Sequence, residues 1–140
     1  MLSVRQPWAW AILYAGKRVE NRDWETEYRG RVWLHASKSG TLREYTESQE
    51  AIREITGIVC PAKKHLPLGC FVGGARIIGC ELITHDDDEH DPWSVYGSYG
   101  FRLAERIWIA RPTLPASGAQ GLWYPEEEEE SWLIKQAMTE

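Results

Sequence analysis

Apolar residues recur at helical spacing over Trp8, Ala11, Ile12 and Ala15, between Pro7 and Gly16. The stretch QPWAWAILYAG therefore predicts a short helix, with Pro7 at the first helical position and Gly16 as its stop. The residues LSV just before it suit an opening strand. A second helix is predicted in TLREYTESQEAIREITG, where Leu42, Tyr45, Ile52 and Ile55 form the apolar stripe. Thr41 and Glu44 have capping-box spacing, and Gly57 ends the segment. A terminal helix is expected in PEEEEESWLIKQAM, with its acids at the N-terminal end that the helix dipole favours.

Elsewhere the pattern has a period of two. EYRGRVWLHAS predicts a turn at Arg29-Gly30 and a strand with Val32, Leu34 and Ala36 on one side and Trp33, His35 and Ser37 on the other. LGCFVGGARIIGCELI predicts a long strand, bulged or bent at Gly73-Gly74. FRLAERIWIARP predicts another, ended by Pro112, and PASGAQGLWYP a Gly-rich loop. From Arg18 to Trp24 the alternation puts Arg18, Glu20, Arg22 and Trp24 on one face and Val19, Asn21 and Asp23 on the other. Neither face is apolar enough for an ordinary core strand. Several strands, two or three helices and no βαβ alternation together predict an α+β fold, a small mixed barrel.

A chain of 140 residues is expected to form a single domain, 1–140, whose core needs neither disulfide nor metal. Eight Trp exceed what one small core readily absorbs, which points to a binding face. No apolar run approaches the roughly 20 residues of a membrane span, and MLSVRQPWAW lacks a signal-peptide layout, so a cytoplasmic protein is expected. Cys60, Cys70 and Cys80 match neither zinc-ligand nor disulfide spacing and read as buried or incidental thiols. His85, His90 and the acids between them are metal-ligand types, but so dense a charge run reads as a solvated, mobile loop. No cofactor and no metal are expected.

Charge changes the picture more than composition does. The formal net charge is −5, yet residues 1–76 sum to +4 and residues 77–140 to −9. Much of the acid lies in His85–Asp91 and Glu126–Glu130. A basic first half leaves room for an anion-binding face. Within it, Lys17, Glu20 and Arg22 interrupt two apolar segments. Arg22 offers a rigid fork for a phosphate or base edge, Lys17 a flexible point charge, and Glu20 an acceptor for a nucleobase amino group. Trp8, Trp24 and Trp33 could supply stacking surfaces, and His35 a proton acceptor. The plain alternative is a structural ion-pair cluster at a turn.

The stretch LSVRQPWAWAILYAGKRVENRDWETEYRGRVWLHASK, with the later GAQGLW, resembles the ASCH-domain family of the PUA-like superfamily. The family signature is a Gly, one residue, a Lys, two residues, a Glu or Thr, one residue and an Arg. It appears here as Lys17, Glu20 and Arg22, with Ala15 at the Gly position and Gly16 displaced by one. The resemblance implies a small PUA-like mixed β-barrel whose Lys, Glu and Arg point into a cleft for RNA or a nucleotide-like ligand. The family includes nucleic-acid-binding modules of coactivators, a ribonuclease and acetylcytidine amidohydrolases. In the amidohydrolases a Thr nucleophile stands where this chain has Glu20, so that covalent mechanism does not carry over. Three functions stay open. The first is a module binding single-stranded RNA or a modified base. The second is a metal-independent hydrolase with Lys17 or Arg22 stabilising charge and Glu20 or His35 taking a proton. The third is a protein-interaction domain docking through exposed Trp.

Overall fold

The computed structural model describes residues 1–84, 91–109 and 118–139. Pro112, most of the acidic stretch at 85–91 and the candidate ligands His85 and His90 lie outside the described residues. The elements are β1 (Leu2–Arg5), α1 (Trp8–Tyr14), β2 (Val19–Arg22), β3 (Gly30–Ser37), α2 (Leu42–Thr56), β4 (Cys70–Leu82), β5 (Tyr99–Ile109), α3 (Glu127–Gln136) and β6 (Ala137–Thr139). The fold is α+β, as the periodicities predict.

The strands follow one path, β1-β3-β4-β5-β2, with β6 added to β5. β1 runs parallel to β3, and the remaining pairs are antiparallel. Leu2 and Val4 from one end of this path share a core with Val32, Leu34, Ile77, Phe101 and Leu103. The sheet therefore curls around its apolar side chains into a half-barrel, the form expected of a PUA-like barrel. Its end strands β1 and β2 do not pair with each other. Curvature comes from the irregularities of β4, where register shifts between Leu34 and His35 on β3 and again at Gly74/Arg76. At Gly73 a Cβ would stand 2.5 Å from the Ile107 carbonyl oxygen, so only glycine lets the two strands approach this closely.

Both early helices differ in detail from expectation. Pro7 precedes the first turn of α1 rather than opening it; the Trp10 N–H is instead satisfied by the side-chain oxygen of Gln6 at 2.9 Å. At the other end, Gly16 is left-handed with φ of 76°, and the Lys17 N–H returns to the Ala11 carbonyl at 3.0 Å. This closure releases the chain with Lys17 turned inward. In α2 the Thr41–Glu44 capping box and the left-handed Gly57 are both present. Tyr45 and Ile52 are buried, but Leu42 is 69% exposed: the apolar stripe begins one turn later than its spacing suggests. The last helix stops at Gln136, and Ala137–Thr139 pairs with β5 as a strand that helical spacing alone concealed.

Cys60 and Cys70 are buried. Burial pushes both thiols above their ordinary range. Among the described residues no helix is long and apolar enough to cross a membrane. Nor, among those residues, does any group of three or more His, Cys, Asp or Glu stand placed to hold a metal.

Candidate functional site

A cleft of about 1540 Å³ opens along the unpaired seam between β1 and β2. Lys17, Glu20, Arg22, Trp8, Trp24 and His35 all line it. Lys17 and Glu20 are buried, which is costly for charged groups unless each finds a partner. The Lys17 ammonium donates to the Val19 carbonyl at 2.5 Å and to Glu20 Oε1 at 2.7 Å. It also lies 5.5 Å from the centre of the Trp8 ring, within cation–π range. The second carboxylate oxygen of Glu20 faces Arg22 Nη2 at 3.1 Å.

Arg22 does one thing more. Its Nη2 also donates to the backbone carbonyl of Ser3 on β1. A side chain from one end strand thus spans the seam to the other, where no backbone ladder closes the barrel. Its Nε is buried and has no hydrogen-bond partner among the described residues. Two cations on one carboxylate leave the cluster with a formal charge of +1, held in place by hydrogen bonds and ion pairs within the protein rather than by solvent.

The strand alternation explains the rest of β2. Glu20 and Arg22 face the cleft. Val19, on the other face, packs with Ala11, Ala15, Ile52 and Trp93. Arg18 precedes the strand and departs from the expected face, pairing with Asp91 at the surface. Trp24 continues the cleft side and meets Phe101 edge-on, with ring centres 5.0 Å apart. On β3, Nδ1 of His35 lies 3.1 Å from Ser3 Oγ. The imidazole is buried between the rings of Phe71 and Trp123.

Residues 2–139 match the family model for the ASCH domain. The chain belongs to the ASCH-domain family. Over 80 residues it is 39% identical to human (Homo sapiens) activating signal cointegrator 1 and 38% identical to the mouse (Mus musculus) protein of that name. The matched stretch covers 56% of this chain but only 14% of the human relative, so the likeness concerns a small part of a much longer protein.

In this ASCH domain the signature positions form one bonded network, although Ala15 replaces the signature glycine. Gly16 supplies the left-handed turn one residue later. Trp33 does not join the cleft. It shares a face of β3 with His35, but that face is covered by the cluster of Met1, Phe71, Ile109 and Leu133. Further along that face, His35 and Ser37 reach the opening. Trp93, which no sequence pattern singles out, lines the cleft instead. Asn21 is a second residue of this kind: its side chain donates to the Trp93 carbonyl at 2.7 Å and accepts from the Val95 N–H at 2.9 Å. Asn21 thereby ties the segment carrying Trp93 to β2. Nothing in the alternation of Val19, Asn21 and Asp23 marks it out.

Proposed function

We propose that this ASCH domain binds single-stranded RNA, or a nucleotide-like ligand, in the seam cleft. The observation that carries the reading is the buried Lys17–Glu20–Arg22 network at the cleft wall. It holds an excess positive charge, with half-buried Trp8 and Trp24 beside it. Preorganised donors favour an anionic group without needing to be ordered on binding. Flat indole surfaces nearby favour a base. Glu20 supplies the acceptor between the two cations, fixed in position by both.

A second reading is hydrolysis of a phosphodiester or of a modified nucleoside in the same cleft. It is favoured by the contact between His35 and Ser3 in the wall, where His35 would take a proton. One experiment separates the two. The protein is incubated with end-labelled single-stranded RNA and with an acetylated nucleoside, and both retention and product are followed. Saturable retention with intact RNA and intact nucleoside is the result expected for binding. Product that disappears in His35→Ala would support the hydrolase.

A further inference from the structure

The cleft does not end at the charged network. At about 1540 Å³ it exceeds the roughly 300–1,000 Å³ of ordinary small-molecule pockets, which favours a ligand longer than one nucleotide. A second depression of about 70 Å³ adjoins it, with Arg5, Trp8 and Ser39 lining both. The far wall of this depression carries Lys63 and the hydroxyl residues Thr41 and Ser48. Lys63, half-buried, belongs to a 3-10 turn, Lys63–His65, in which Lys64 and His65 are exposed. The one carboxylate lining it, Glu44, is already engaged by Arg5 at 2.8 Å and by the Thr41 cap. That pair, with a hydrogen bond from Arg5 to Ser39, fixes the guanidinium at the junction of the two spaces.

Resting on the reading of the cleft as a single-stranded RNA site, we infer that the RNA backbone leaves the cleft across Arg5 and Ser39. Its flanking phosphates then lie on a second subsite formed by Lys63 and Lys64. Cations and hydroxyls grouped in this way suit phosphate and sugar contacts, which position a strand without reading its sequence. A base held against Trp8 or Trp24 and a phosphate on Lys63 would be parts of one extended ligand. A mononucleotide would fill the first site alone.

The test compares the full chain with a Lys63→Ala/Lys64→Ala double variant, both of whose changes lie outside the charged network. The probes are a fluorescein-labelled nine-nucleotide oligouridylate and uridine 5′-monophosphate. For the oligonucleotide, affinity should fall about tenfold in the variant, and the salt slope should shrink by about 0.7 for each phosphate that the lysines no longer neutralise. Affinity for the monophosphate should be the same in both proteins. An unchanged oligonucleotide affinity and salt slope in the variant, with monophosphate binding intact, overturns the second subsite while the cleft reading stands. A parent protein that binds neither probe overturns both.

Discussion

Two ion pairs built from similar residues at similar spacing behave as opposites in this protein. Lys17 and Glu20 are three residues apart, 2.7 Å between charged atoms, with side chains 3% and 9% exposed. Arg43 and Glu47 are four residues apart on α2, at 3.2 Å, with side chains 88% and 66% exposed. Water and salt screen the helix pair, so its loss should barely register. The buried pair is screened far less, and removing one member leaves a charge stranded where solvent cannot reach it. Spacing along the chain does not distinguish them; the fold around them does. Of the two, only the buried pair is held in place by the packing around it.

The contrast is broken most sharply by Glu20→Ala, which leaves Lys17 buried without its carboxylate. Loss of about 3–5 kcal/mol is expected in urea unfolding, the usual cost of orphaning a buried ion. Replacing both partners, as Lys17→Met with Glu20→Leu, should recover only part of that loss: an apolar pair can substitute for a buried salt bridge, but Arg22 still loses the Glu20 carboxylate. The double variant should nevertheless fail to bind RNA, separating stability from recognition. On α2 the larger effect should come from the cap. Thr41→Ala removes the oxygen that accepts from the Glu44 N–H at 3.1 Å, and should cost about 1 kcal/mol in the same unfolding assay. Arg43→Ala should change stability by no more than about 0.5 kcal/mol. A larger effect there than at Glu20 would invert the comparison.

What could be read from the chain alone follows the range of the interactions involved. The capping box of α2 and the turn at Gly16 are local, set by residues within a few positions of each other, and their spacing reveals them. The charge cluster was visible because neither face of Arg18–Trp24 suits an ordinary core strand. Its organising contact was not. Arg22 reaches Ser3 only because the sheet curls until its two end strands face each other, and no local pattern encodes that closure. Trp33 shows the related limit: alternation assigned it to a face with His35, but not what would cover that face. Trp93 escaped notice because it acts through a long-range tie to Asn21, on a segment with little periodicity of its own. At Ala137–Thr139 pairing with β5 overrides helical spacing, which no local pattern announces.

The central claim is that the charge triplet recognises a ligand and does more than support the barrel. The most direct measurement is a fluorescence-anisotropy titration of labelled single-stranded RNA against the parent chain and Arg22→Ala, at a temperature where both are shown to be folded. The account predicts saturable binding by the parent and a loss of about 1–3 kcal/mol in the variant, as for a charge-assisted contact. RNA binding equal to that of the parent, alongside a lowered unfolding midpoint, would contradict it and leave Arg22 a structural brace across the seam.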